Sequence, residues 1–131
     1  YSCTECGRCT SQCPANQTGK LLSPRKIMMD VRDRAEEVGK RLDKKLDIVD
    51  GKSLLTSITK EELWACTSCN ACTEACPINI DPLSIIIDLR RYLVMEESAA
   101  PNELNLIFNN IENNGAPWQF SMTDRLNWKD E

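Results

Sequence analysis

Eight cysteines are the residues of this chain best suited to hold metal, and their spacing repeats. Cys3, Cys6, Cys9 and Cys13 run directly into Pro14; Cys66, Cys69, Cys72 and Cys76 run directly into Pro77. Both sets read C-x2-C-x2-C-x3-C-P, each cysteine of the second lies 63 positions after its counterpart, and none is left over. This spacing is a ligand run for a [4Fe–4S] cube. Two-residue gaps let the backbone curl so that three thiolates meet three irons. The fourth cysteine sits one turn further on and faces away, and in two-cluster proteins it ligates the other cube. The expected sets are therefore Cys3, Cys6, Cys9 and Cys76 for one cluster, and Cys66, Cys69, Cys72 and Cys13 for the other. Pro14 and Pro77 are expected to turn the chain outward and to stop each loop from continuing as helix.

Blander readings fit less well. Zinc ribbons use paired C-x2-C knuckles, not two runs of four closed by Cys-Pro. A disulfide framework needs an oxidising compartment, and nothing in the sequence implies export. A purely structural cluster stays open, since a cube welds its fold whatever else it does. Substrate chemistry at an iron requires an open coordination position, and eight ligands for eight irons leave none.

Composition narrows the field further. At 131 residues, one domain spanning 1–131 is the natural expectation. Sixteen basic residues against twenty acidic ones give a net charge of -4, a poor balance for nucleic-acid binding. Histidine is absent, which removes Ser-His-Asp and Cys-His triads and His-ligated zinc or haem. No stretch approaches the roughly 18 apolar residues of a membrane span. The chain opens at Tyr1, with neither methionine nor a signal-peptide pattern, and is expected to be a fragment of a larger protein.

The elements that must position the cysteines read as helices. Ser23-Pro24 is a cap followed by proline at the first helical position, and Ile27, Val31, Ala35 and Val38 then recur at helical spacing. The charges around them, from Arg25 through Glu37, are expected to form a solvated face. Gly39 is expected to weaken the end of this helix, and Lys40 to Gly51 reads as a second helical piece or a loop. Thr59 with Glu62 forms a capping box that starts a short helix delivering Leu63 and Trp64 against the second cysteine run. Asp81-Pro82 repeats the cap-then-proline grammar, with Ile85, Ile86, Leu89 and Leu93 as the apolar stripe and Arg90, Arg91 and Glu97 on the wet side. Pro101-Asn102-Glu103 opens a further helix with Leu104, Ile107, Phe108 and Ile111 inward, stopped by Asn113-Asn114-Gly115. Pro117-Trp118 is expected to close a core edge. Trp118, Phe120 and Trp128 either pack as a terminal clasp or face a further domain; Met28 and Met29 are core or edge filler. No alternating strand is visible, so the fold class is all-α, with two cluster-binding loops and a helical insertion between them. Each half runs from cluster loop through Cys-Pro into a capped helix, an internal pseudo-repeat.

The two cysteine runs separated by a helical insertion resemble the α-helical ferredoxin domain. That domain is found in succinate dehydrogenase and fumarate reductase iron–sulfur subunits, and in the C subunits of glycerol-3-phosphate dehydrogenase and heterodisulfide reductase. The tail from Asn109 to Trp118, with Arg125 and Trp128, is similar to the link of heterodisulfide-reductase-like Fe–S oxidoreductases, where Cys-Cys-Gly domains follow. No Cys-Cys-Gly segment occurs in this chain. The resemblance implies two [4Fe–4S] clusters and an electron-transfer role within a larger redox complex. It places the substrate-reducing site beyond Glu131 or on another subunit. Its partners would be a Cys-Cys-Gly domain, a flavoprotein, or a membrane quinone or haem subunit. A cytoplasmic location is expected, at the membrane face if other parts of the protein anchor it there.

Two oxidised cubes with their thiolates would carry about -2 each, roughly doubling the negative charge of the chain. Backbone N–H groups and helix N-termini must offset it. Small loop residues (Gly7, Ser11, Thr67, Ser68 and Ala71) are expected to permit that close approach. Arg8, the one cation inside a cluster loop, either raises its neighbour's potential or points outward into solvent, the reading favoured here. Three functions follow for weighing: an electron-transfer module, a metal-stabilised interaction domain without redox role, and a small complete enzyme. The last is weakest, with no base, nucleophile pair or phosphate loop in view.

Overall fold

Each cysteine run folds as an open loop that closes in a single helical turn, and longer helices follow. The computed structural model describes residues 2–129; Tyr1 and residues 130–131 lie outside it. The elements are α1 (Arg8–Ser11), α2 (Pro14–Gln17), α3 (Pro24–Asp43), a 3-10 turn (Leu54–Thr56), α4 (Lys60–Trp64), α5 (Ala71–Glu74), α6 (Pro82–Met95), α7 (Asn102–Asn114) and a 3-10 segment (Met122–Lys129). Among the described residues there is no strand, and the fold is all-α as the sequence indicates. The chain divides into two compact units, one up to Arg91 and one from Tyr92 onward.

In the first unit, Leu22, Ile27, Ile58, Leu63 and Ile86 are fully out of solvent, with Pro24 and Pro82. Burying each such aliphatic side chain stabilises by roughly 1.5–3 kcal/mol. That is a thin core for some ninety ordered residues, whose backbone entropy alone costs on the order of 1–2 kcal/mol each.

The caps read from sequence form. Ser23 Oγ accepts the Lys26 N–H and Pro24 takes the first position of α3. Thr59 and Glu62 make the full capping box of α4. Asp81 Oδ1 accepts the N–H groups of Leu83 and Ser84 at 2.9 and 3.1 Å, capping α6. Gly39 does not end α3, which continues to Asp43. One glycine inside a helix costs about 1 kcal/mol, less than breaking the ladder of a twenty-residue element would. The end comes at Lys45, a left-handed residue at φ 54°, where Leu46 N–H reaches Arg41 O and Lys45 N–H reaches Leu42 O. This is a Schellman closure without glycine, and the rest of Lys40 to Gly51 is loop. Pro14 also departs from expectation. It stops α1 but opens α2, because its fixed φ suits a first helical position as well as a break.

The charged face of α3 is not simply solvated. Arg34 grips Asp50 through two hydrogen bonds of 2.8 and 2.7 Å and also reaches Glu37, tying the loop back to the helix. That guanidinium, with the Lys52 N–H, holds the Asp50 carboxyl well below the usual carboxylate range. Lys52 completes the network with Glu37 at 2.6 Å. Lys26 Nζ lies 2.9 Å from Glu62 Oε1 and donates to Ser57 O at 2.8 Å, so α3 is pinned to the start of α4. Asp30 Oδ2 meets the same ammonium at 3.0 Å as an ion pair without an aligned hydrogen bond.

In the second unit, Leu93, Asn110 and Ala116 are buried. Leu104 and Ile107 are half-buried as expected, but Phe108 and Ile111 are exposed. Asn110 takes the inward place because its amide donates to Pro117 O at 3.0 Å, satisfying both groups across the left-handed Gly115 stop. Pro117-Trp118 therefore does not close a core edge; Ala116 does. Trp118 and Trp128 are 56% and 71% exposed and Phe120 is exposed too, so no terminal clasp forms.

Glu62 yields a pH-dependent prediction. Burial pushes its carboxyl up, but the Thr59 N–H and the Lys26 ammonium outweigh burial and hold it below its ordinary value. A lowered folded-state pKa gives stability that is present above the unfolded value and lost as pH falls through the folded one. Glu62→Gln should cost about 1 kcal/mol at neutral pH, given that Lys26 is partly solvated. The gap from wild type, read from urea midpoints, should narrow below about pH 4.3. A gap that is flat with pH, or that widens on acidification, contradicts this assignment.

Candidate metal centre

The two cysteine loops are copies in backbone as well as in sequence. Glu5 and Ser68 are left-handed at φ 58° and 57°, and Gly7 and Asn70 at φ 80° and 64°. Each pair is separated by 63 positions, the offset of the cysteines themselves. Left-handed residues on either side of the central cysteine reverse the local curl, so that successive N–H groups turn toward one concave side, an arrangement suited to anions. Gly7 serves this conformation. A Cβ built there would meet no protein atom within 4 Å, so no packing contact within the chain requires the glycine.

The loops are braced alike. Thr10, one residue after Cys9, shares a 2.9 Å hydrogen bond with Ser23 Oγ, the cap of α3, and accepts from the Arg25 N–H. Thr73, one residue after Cys72, donates to Asp81 Oδ1, the cap of α6, at 3.1 Å. In both halves a threonine of the single-turn helix is thus bonded to the N-cap of the long helix that follows. Arg32 adds a 2.7 Å ion pair to Glu5 in the first loop.

The eight thiols are free. Cys6 and Cys69, the central members, are exposed; Cys13 and Cys72 are buried; Cys3, Cys9, Cys66 and Cys76 lie between. Burial pushes the Cys9 thiol up, hydrogen bonds to Thr10 oppose it, and the Cys3 thiolate adds to the rise. Cys72 behaves in the same way beneath burial, Thr73 and Cys66. The first and third sulfurs of each run are therefore brought within electrostatic reach of each other. The backbone N–H of Ala71, followed by the Thr67 side chain, holds the exposed Cys69 thiol below its ordinary value. Ser68 N–H approaches Cys66 Sγ at 3.4 Å and Ile80 N–H approaches Cys76 Sγ at 3.3 Å.

The runs also meet. α1 packs against α5, and Arg8, Ser11 and Gln12 face Ala71, Glu74 and Ala75 across a cavity of about 460 Å³. Arg8, on the rim of this cavity, is exposed to solvent. Among the described residues, no three Cys, Asp or Glu side chains converge as a site for a single metal ion. A zinc ion draws four ligands to within about 2.3 Å of one point; a cube takes each thiolate on a different corner iron. The all-thiol donor set, the N–H groups aimed at sulfur and the paired left-handed turns fit [4Fe–4S] clusters.

The sequence reading missed one residue beside this centre. Arg90 is half-buried rather than on the wet side of α6. It donates to Leu63 O at 2.9 and 2.6 Å and to Cys66 O, with its guanidinium 5.0 Å from the centre of the Trp64 ring. Its place on α6, 27 and 24 residues from those two carbonyls, gave no local signal. Only the odd cation beside an aliphatic stripe marked it.

Comparison with known proteins agrees with this geometry. Residues 1–80 match the family model of the 4Fe-4S dicluster domain. The chain is 35% identical over its whole length to the "Probable iron-sulfur-binding oxidoreductase FadF" of Bacillus subtilis, covering 23% of that protein. It is 34% identical over 99% of its length to the "EtfAB:quinone oxidoreductase" of Syntrophomonas wolfei, covering 21% of it. It is 32% identical over 76% of its length to one polypeptide of the ferredoxin:CoB-CoM heterodisulfide reductase of Methanosarcina mazei, covering 50% of that polypeptide. The chain thus spans less than a quarter of the first two relatives. With two cysteine loops of one backbone design and a family match over both, this chain belongs to the 4Fe-4S dicluster domain family and carries two [4Fe–4S] clusters.

Proposed function

We propose that the chain is the electron relay of a longer oxidoreductase, with Cys3, Cys6, Cys9 and Cys76 holding one cluster and Cys66, Cys69, Cys72 and Cys13 the other. The observation that carries this reading is the packing of α1 on α5, which sets two equivalent loops side by side. When bound, each cube supplies a one-electron couple that exchanges neither protons nor bonds with its surroundings. The residues of the chain do the rest. The left-handed pairs Glu5/Gly7 and Ser68/Asn70 aim backbone dipoles at the anionic sulfurs. Thr10 and Thr73 fix each loop to the cap of a long helix. Cys6 and Cys69 put one sulfur of each loop at the surface, where a partner's redox group comes closest, while Cys13 and Cys72 face inward.

The partner in this reading is a redox domain or subunit of the same complex: a Cys-Cys-Gly domain, a flavoprotein, or a quinone- or haem-bearing membrane subunit. The names of the oxidoreductase relatives support it. Among the described residues no helix is long and apolar enough to cross a membrane. Eight thiols reserved for clusters call for a reducing compartment, so we assign the unit to the cytoplasm, with any membrane attachment made by other parts of the complex.

Anaerobically reconstituted protein should contain about eight irons and eight sulfides per chain, with a broad visible absorbance that dithionite bleaches. About two zinc ions instead would overturn the assignment, and clusters that dithionite cannot reduce would leave an interaction domain. Removal of the clusters by chelation should also cut the helical circular dichroism and broaden the melt, because the apolar core is thin. A sharp melt in verified apo protein would show that helix packing suffices.

Cross-ligation has its own test. Cys13→Ser should disturb the same paramagnetic signal as Cys69→Ser, and Cys76→Ser the same signal as Cys6→Ser. If Cys13→Ser and Cys6→Ser remove one signal together, ligation is local and the interlocked pair is wrong.

A further inference from the structure

We propose that Arg90 is a positioning residue of the second cluster: it fixes the Cys66 backbone and supplies the uncompensated positive charge that makes that cluster easier to reduce. This inference rests on the ligation proposed above.

Three observations lead there. The first is connectivity. Arg90 forks onto Leu63 O and Cys66 O, bridging the end of α4 to the first cysteine of the second run. The fork is planar and has few ways to make these bonds, so it locks the peptide that carries the ligand.

The second is charge. Among the described residues, the partly buried Arg32 and Arg34 each pair with a carboxylate, Glu5 and Asp50. The partly buried Arg41, at the end of α3 and far in sequence from either cysteine run, donates to the Asp47 carbonyl. Arg90 is partly buried as well and pairs with no carboxylate; the neighbouring Asp88 is taken by Arg91. Carbonyl dipoles and the face of Trp64 are its partners in the protein. A guanidinium stays charged at any ordinary pH, and a sheltered charge without a counter-charge is costly. A group of four thiolates around a cube, anchored at Cys66, is the counter-charge that this position lacks.

The third is the ring beneath it. Trp64 Nε1 is a buried donor with no acceptor in the protein. Buried N–H groups are nearly always bonded. An orphan donor and an unpaired cation therefore stand together two residues before Cys66, and each is short of the same thing, negative charge. The first loop differs: Glu5 there is paired with Arg32, and its other cations, Arg8 and Arg25, are exposed to solvent rather than sheltered.

Reduction adds one electron to a cluster and breaks no bond. A fixed positive charge beside it favours the reduced form more than the oxidised one. The test is a redox titration, followed by paramagnetic resonance, of the reconstituted full chain with dithionite as reductant. Arg90→Gln should lower the reduction equilibrium of one cluster about tenfold, equal to 59 mV for a one-electron couple, and leave the other in place. The cluster that moves should be the one whose signal Cys69→Ser removes. Arg90→Lys, which keeps the charge, should stay near wild type, and Trp64→Phe should shift the same cluster in the same direction by less. Two unmoved potentials, equal shifts of both clusters, or a lysine variant as displaced as the glutamine one would each overturn the inference. If Arg90→Gln holds only four irons, Arg90→Lys decides. Eight irons at the wild-type potential support the charge role, whereas four make Arg90 a loop brace only. Wild type that fails to load eight irons would instead overturn the ligation on which both readings stand.

Discussion

Three thiolates spaced two residues apart must face one side, and a right-handed backbone cannot turn them there unaided. The structure depends on how that constraint is met. In both loops the residues on either side of the central cysteine are left-handed, at a cost of about 1–2 kcal/mol for a residue other than glycine or asparagine. The side chains used are unlike, glutamate and glycine in one loop and serine and asparagine in the other. The repeat is therefore kept in conformation where it is not kept in residue type. Such strain persists only where the surroundings over-determine it. The Thr10–Ser23 and Thr73–Asp81 bonds are those surroundings, since each ties the strained loop to a helix cap.

The long helices take their meaning from this. α3 and α6 contribute few fully buried side chains, and much of the hold on the first unit is polar: Lys26 on Glu62, Arg34 on Asp50, Arg32 on Glu5. A small apolar core with many directional contacts sets positions well while contributing little net stability. Clusters that bind only the folded chain then add stability by linkage, and the same ligands that carry electrons close the fold.

How much of this was legible in the sequence depended on range. The Thr59–Glu62 box and the Ser23-Pro24 and Asp81-Pro82 starts are decided within four residues, and each forms as read. Long-range choices were not legible. Periodicity marks a helix face but not the partner that faces it, so Phe108 and Ile111 looked inward until the Asn110–Pro117 bond rotated the buried stripe by one residue. Charge pattern likewise cannot separate a solvated arginine from one that reaches a carbonyl on another element. Arg91 is exposed on α6 and Arg90, one residue earlier, is folded over Trp64. Gly39 misled for a simpler reason, because a propensity of about 1 kcal/mol is outweighed by a long helix already paired on both sides.

Two loops of one backbone design hold two clusters of one chemical type, and a relay needs them to differ. The left-handed pairs and the threonine braces are shared by both halves, whereas the N–H contacts at Cys66 and Cys76 Sγ have no counterpart at Cys3 and Cys13 among the described residues. Side-chain charge differs too. Position 5 carries a carboxylate and position 68 a serine, so the first loop begins with a negative charge that Arg32 must cancel, and the second begins with none. Solvent access differs as well: Cys6 and Cys69 are both exposed, but Cys72 and Cys13 are buried where their counterparts Cys9 and Cys76 are only partly so. The loops thus differ in thiol burial and in charge: a sheltered cation without a carboxylate partner stands on the second side, and a closed ion pair with two solvent-exposed arginines, Arg8 and Arg25, on the first. A repeat that kept its conformation while its charges diverged is a direct route from two equal sites to a downhill pair.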